Sequence, residues 1–146
     1  MRETVQRHGM LTEGDLVVVA VSGGPDSMCL LDILCSLATE FGIDLYVAHL
    51  NHHMREQAKE DAEMVREFAG SLGVGCTVGD ADVNAIAALR GIGVEEAGRE
   101  ARYDFLRRVM RDLRAQKIAL GHNRNDQAET VLMRLLRGAG TEGLAG

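Results

Sequence analysis

Short apolar runs alternate with amphipathic stretches along this chain of 146 residues. Leu16-Val17-Val18-Val19-Ala20-Val21 is an unbroken, β-branched run, the pattern of a strand covered on both faces. Asp44–Leu50, Gly75–Val78 and Lys117–Gly121 read as three further strands. Between them apolar residues recur at helical spacing. Met28, Leu30, Leu31, Ile33, Leu34 and Leu37 predict a helix over 28–40, and Ala62, Val65, Phe68, Ala69 and Leu72 one over 56–72. Helices are also predicted over 2–9, 82–90, 94–115 and 126–137. Gly42, Gly73 and the Gly91–Gly93 stretch punctuate the pattern. Alternating strands and helices imply parallel β-α units. The expected fold is α/β, a three-layer α/β/α sandwich of Rossmann-like kind around a mainly parallel sheet. Ligands of such sheets bind beyond the carboxyl ends of the strands. Three polar clusters fall at such ends, Ser22–Ser27, Asn51–Arg55 and His122–Asp126, and are expected to converge on one crevice.

No linker or internal repeat divides the chain, so residues 1–146 read as one domain. The tail 138–146 holds four glycines and no periodicity. Aromatics make up only 3% of the residues, which argues against a base-stacking surface and leaves aliphatic side chains and Met to fill the core. No apolar run approaches the roughly 20 residues of a membrane span, and the charged N-terminus lacks the apolar segment of a signal peptide. Three scattered cysteines make no disulfide framework. A reducing cytoplasm is expected. Cys29 and Cys35 fall on an apolar helix and read as small core residues. The net charge of −6 disfavours a nucleic-acid partner, but its distribution changes the picture. Residues 1–89 carry 5 basic against 14 acidic side chains, whereas residues 90–146 carry 11 against 8. Of the 16 basic residues 14 are Arg, the side chain suited to bidentate phosphate contacts.

The segment Ser22-Gly23-Gly24-Pro25-Asp26-Ser27 joins the first strand to the first long helix. Two glycines let backbone N–H groups come close to oxygen atoms, and the helix turns its positive end toward an anion. Ser22 and Ser27 add hydroxyls, and Pro25 suits a first helical turn. Asp26 is the oddity, because a bare carboxylate repels phosphate. It makes sense as a ligand of a divalent cation that bridges phosphates. On local rules a helix cap explains it equally well. The Walker pattern and its Lys are absent. Gly138-Ala139-Gly140-Thr141-Glu142-Gly143 fits a dinucleotide pattern but follows a helix, so it fails that pattern's context.

Asp126 could supply a second carboxylate for the same cation, and His122 a contact to a phosphate. Their ordinary readings are a helix cap and a strand-end histidine. Adjacent His52 and His53 lack the partners of a zinc set, and their cluster reads as the polar rim of a nucleotide site. Arg99 and Arg102 are three apart on one helix, so they share a face that could grip phosphate. The ordinary account is intrahelical pairing of Glu95 with Arg99, which is favourable but weak.

Together these residues resemble the PP-loop ATP pyrophosphatase superfamily, and within it the tRNA(Ile)-lysidine synthetase family. The resemblance rests on Ser22–Ser27, on His49–Arg55 with Asp61 following, on Glu95–Tyr103, and on Gly121–Thr130 followed by Leu135–Gly140. It covers nearly the whole chain and implies the N-terminal catalytic domain of a longer protein, cut short at its C-terminal end. The resemblance implies that Ser22, Gly23, Gly24, Pro25, Asp26 and Ser27 bind ATP. It implies that Asp26 and Asp126 hold Mg2+, that these two and His122 carry the catalysis, and that Arg99 and Arg102 meet the tRNA. The implied reaction ligates free L-lysine to C2 of the wobble cytidine of the minor tRNA(Ile) with a CAU anticodon, through an adenylated tRNA. A homodimer is compatible with it. Asn51, Asn123 and Asn125 depart from residues common in the family, where Asp, His and Asp are usual. A tRNA thiolase of the same superfamily is the rival enzyme, though no suitable cysteine pair exists here. A non-catalytic nucleotide-binding module is the third reading; it would need neither Asp26 nor Asp126.

Overall fold

The computed structural model describes residues 1–52, 58–122 and 132–137. Within them the order is α1 (Arg2–Arg7), β1 (Leu16–Ala20), α2 (Pro25–Phe41), β2 (Asp44–Asn51), α3 (Ala58–Ser71), β3 (Gly75–Asp80), α4 (Val83–Arg90), α5 (Val94–Leu113), β4 (Lys117–His122) and β5 (Leu132–Arg137). The strands form one sheet in the order β3-β2-β1-β4-β5. Strands β1 to β4 are parallel, as β1 pairs with both β2 and β4, and β2 with β3.

β1 shows why a continuous apolar run is needed at the centre of such a sheet. Val17, Val19 and Val21 point to one face, where they pack with Val5 of α1, Leu30, Leu31 and Leu34 of α2, and Val65 and Ala69 of α3. Val18 points to the other face and packs with Phe105, Leu106 and Val109 of α5. Strand side chains alternate, so both sets are buried only if every position is apolar. α4 packs on α5 through Val83, Ala87 and Ala97. The three-layer α/β/α expectation is met.

Helix ends follow the punctuation. Gly42 and Gly91 close α2 and α4 in the left-handed conformation. Asp82 caps α4, its Oδ1 accepting from the Ala85 N–H at 3.0 Å. At the end of the sheet remote from the loop, Lys117 and Asp15 form a buried ion pair, and Thr12 N–H donates to Asp15 Oδ2 at 2.7 Å.

One element departs from expectation. The helix predicted over 126–137 is a strand where it is described: β5 pairs antiparallel with β4, with Lys117 opposite Arg137 and His122 opposite Leu132. Four apolar residues in six, Leu132, Met133, Leu135 and Leu136, suit either element, and here the free edge of β4 supplies the ladder partner. Residues 126–131 of that predicted helix, and the glycine pattern at 138–143, lie outside the described residues. No described helix is long and apolar enough to cross a membrane.

Candidate nucleotide site

Val21 continues the β1 ladder by one residue, its N–H donating to the Ala48 carbonyl at 3.0 Å. The chain then turns through Ser22–Gly24 into α2. Gly24 is the N-cap residue and Pro25 the first helical one, where a missing N–H costs nothing. Asp26 therefore is not the cap. It is an exposed acidic residue in the first turn, at the end of the helix that favours negative charge. Gly23 has φ +88°, a conformation open to glycine and disfavoured for other residues. Its α-carbon faces α3: a Cβ there would lie 3.6 Å from Asp61 Cβ and 3.8 Å from Val65 Cγ2.

The two serine hydroxyls shape the loop rather than simply lining it. Ser27, 4% exposed, donates from Oγ to the Gly24 carbonyl at 2.9 Å and accepts from the Ser22 N–H at 3.1 Å. The Ser22 and Ser27 hydroxyls lie 3.1 Å apart. With the Ser27 proton given to Gly24, Ser22 is the donor of that pair. Ser22 Oγ also accepts from the Gly24 N–H at 3.4 Å. The loop is thus held closed by its own side chains.

A cleft of about 260 Å3 opens at the carboxyl ends of β1, β2 and β4. It sits where the strand order reverses direction, between β1 and β4. Ser22 and Ser27 stand at one side, and Arg102, Phe105 and Leu106 of α5 at the other. Ala20, Val21, Ala48, Leu50 and Leu120 give it an apolar floor, and His52 and Gly121 complete the lining. Gly121 brings β4 close to the loop, since a Cβ there would lie 3.5 Å from Ser27 Cα.

The polar clusters converge in part. The loop, His52 and the end of β4 meet at this cleft. His122 is the last residue of β4. Asn123, Asn125, Asp126 and residues 53–57 lie outside the described residues. Asn51 is buried, 5% exposed. Arg99 and Arg102 separate: Arg102 is half-buried in the cleft wall, whereas exposed Arg99 lies over the Tyr103 ring, 5.8 Å from its centre.

His52 is more than a rim residue. Burial lowers its pKa, and the electrostatic influence of Arg102, then of His49, lowers it further, so the neutral imidazole is favoured. Its Nδ1 is shielded from solvent and has no hydrogen-bond partner among the described residues. The ring lies beside Gly98 of α5, where a Cβ would come 3.8 Å from Nδ1. His49, which carried no role of its own in the sequence, is 3% exposed and bonds Val21 O through Nδ1 at 2.7 Å. Its strand position hid it; a histidine inside an apolar strand was the available signal.

The cysteines need one correction. Cys29 is exposed rather than in the core, because the apolar stripe of α2 runs through Leu30, Leu31 and Leu34. Cys35 and Cys76 are half-buried, and burial raises both thiols. Neither of these two is poised as a thiolate.

An open α/β sheet with a glycine loop at the tip of its first strand and a cleft at its strand reversal is a nucleotide-binding architecture. The family model described as a PP-loop domain matches residues 2–146, and the chain belongs to that family. Curated relatives extend the match. The tRNA(Ile)-lysidine synthase of Clostridium acetobutylicum is 48% identical over 144 residues, covering 98% of this chain and 31% of the relative. That of Symbiobacterium thermophilum is 48% identical over 147 residues, covering 100% of this chain and 30% of the relative. The chain thus spans about a third of the length of the curated relatives it matches. Among solved structures, the U34-tRNA thiolase NcsA from Methanococcus maripaludis, with its 4Fe-4S cluster, superposes with a TM-score of 0.68 at 18% identity. That superposition covers 79% of this chain and 40% of the thiolase. This likeness shows the shared fold.

Proposed function

We propose that this chain forms the ATP-binding, adenylating part of a lysidine-forming tRNA ligase that works in the cytoplasm. The observation that carries the reading is the cleft itself: a self-bonded glycine loop on one side, Arg102 on the other, and an apolar floor between them. A purine nucleoside suits that floor, with its phosphates toward the loop and the N-terminus of α2. The choice of lysidine over other tRNA products rests on the likeness to the curated synthases.

In this reading the C2 oxygen of the wobble cytidine attacks the α-phosphorus of ATP. The O–P bond forms as the bond to pyrophosphate breaks. The lysine amine then attacks C2, loses a proton, and displaces AMP. The loop amides and the α2 dipole stabilise the departing pyrophosphate. Arg102 offers a rigid, charged fork to phosphate oxygens from the opposite wall.

Mg2+ fits the donor set in one respect. Such ions are held by one or two carboxylates together with substrate phosphates, and Asp26 supplies an exposed carboxylate at the loop. No group of three or more acidic, His or Cys side chains gathers among the described residues, so the phosphates would complete the shell. Asp126 is the second carboxylate in this account. The ion would neutralise charge on the phosphates as pyrophosphate leaves.

ATP–pyrophosphate exchange, run with and without minor tRNA(Ile), tests the reading. Exchange stimulated by that tRNA and lost in Asp26→Asn is expected. Undiminished exchange in Asp26→Asn refutes the metal role of that residue.

A further inference from the structure

We infer that His49 is a positioning residue that anchors the phosphate loop from beneath, through a single buried hydrogen bond. The inference rests on the nucleotide-site reading above for its ligand, and on geometry for the anchor.

His49 is the sixth residue of β2, with Ala48 paired to Ala20 just before it. Its ring is buried, and Nδ1 lies 2.7 Å from the carbonyl oxygen of Val21. A carbonyl can only accept, so Nδ1 carries the proton and the tautomer is fixed. Val21 is the last residue before the loop. Its N–H is already tied to the Ala48 carbonyl at 3.0 Å, so β2 grips it at both ends of the residue. The peptide unit that carries the Val21 carbonyl also carries the Ser22 N–H, because C=O and N–H of one peptide share a rigid plane. Holding that carbonyl therefore sets where the Ser22 N–H points. That N–H donates to Ser27 Oγ at 3.1 Å, the first bond of the ring that closes the loop. One imidazole thus fixes the plane from which the whole loop is built. The ladder reaches Val21 through its N–H, and the carbonyl that His49 holds lies beyond the end of β1 at Ala20.

The chemistry of the bond predicts which replacements succeed. The Asn amide nitrogen falls near the position of imidazole Nδ1, whereas that of Gln reaches one carbon further. His49→Leu leaves the Val21 carbonyl buried without its partner, and His49→Asn restores a donor at the right place. A hydrogen bond of this kind corresponds to about a tenfold change in an equilibrium constant.

The test uses amide hydrogen exchange at Ser22–Ser27 without nucleotide, and calorimetric binding of Mg·ATP and of adenosine. In His49→Leu, loop exchange is expected to rise about tenfold and Mg·ATP affinity to fall by a similar factor, with adenosine affinity within about twofold of wild type. His49→Asn is expected to recover most of both. Should His49→Leu not fold, His49→Gln against His49→Asn makes the same comparison. Unchanged loop exchange in the Leu or Gln variant overturns the anchor, as does equal loss of ATP and adenosine binding. If wild type binds no ATP while loop exchange follows the expected order, the anchor stands and the nucleotide reading fails.

Discussion

Gly23→Ala separates strain in the loop from strain in the fold. Gly23 sits at φ +88°, and a methyl group there meets its neighbours at 3.6 Å or more, an ordinary contact distance. The cost is therefore conformational rather than steric, about 1–2 kcal/mol for an L-residue held at positive φ. The loop can relax that strain, because Ser22, Pro25 and Asp26 around it are exposed. A relaxed loop no longer offers its amides to phosphate, and ATP has to restore it. The apparent affinity then falls by the fraction of loops still in the competent shape, about 5- to 30-fold for that energy. Gly14 is the control. Its φ is +86°, and nothing lies within 4 Å of a Cβ there, yet it is in a turn at the far end of the sheet. Gly14→Ala should cost the fold a similar amount and leave ATP affinity alone. Calorimetric titration with Mg·ATP, paired with thermal melts, reads both effects. Unchanged affinity in Gly23→Ala, or an equal loss in Gly14→Ala, refutes the reasoning.

Other outcomes follow from the same structure. Lys117→Ala leaves Asp15 buried and unpaired, and should destabilise the domain by about 3–5 kcal/mol, read as a lower denaturant midpoint. Arg102→Ala should lower tRNA-stimulated exchange about tenfold or more, because a half-buried fork in the cleft wall is lost, while Arg99→Ala, outside the cleft, should change it about twofold or less. His52 has a folded pKa below the ordinary imidazole value. Its contribution is fully present above that ordinary value, about 6.5, and is lost as the pH falls through the folded one. Wild type should therefore lose more stability than His52→Gln between neutral pH and about pH 5, measured by urea midpoints; parallel losses would contradict this.

Much of the scaffold was legible because it follows from burial on two faces. The run from Leu16 to Val21 has the pattern of a central strand, and Pro25 suited a first helical turn, although apolar spacing alone started α2 at residue 28 rather than at Pro25. Gly91 and Gly93 separated α4 from α5. The ends were harder where six apolar-rich residues suit either period, as at β5. At the site, spacing put Arg99 and Arg102 on one face, but a cleft has an edge, and it falls between them. Spacing could not show this, because it depends on where α5 crosses the strand tips. His49 stood in a motif but carried no role of its own for a similar reason: its partner is a backbone carbonyl 28 positions away, which no local pattern encodes. The serines were seen as phosphate donors, and the fold adds that Ser27 spends its proton on Gly24.

The central claim is that this chain holds the ATP site of a lysidine-forming enzyme. ATP-dependent transfer of radiolabelled lysine to minor tRNA(Ile), measured with the protein that carries this chain, tests it most directly. Label on the wobble cytidine, absent without ATP and absent in Asp26→Asn, is the predicted result. A wobble cytidine that stays unlabelled while ATP is consumed, or sulfur incorporated in place of lysine, would contradict it.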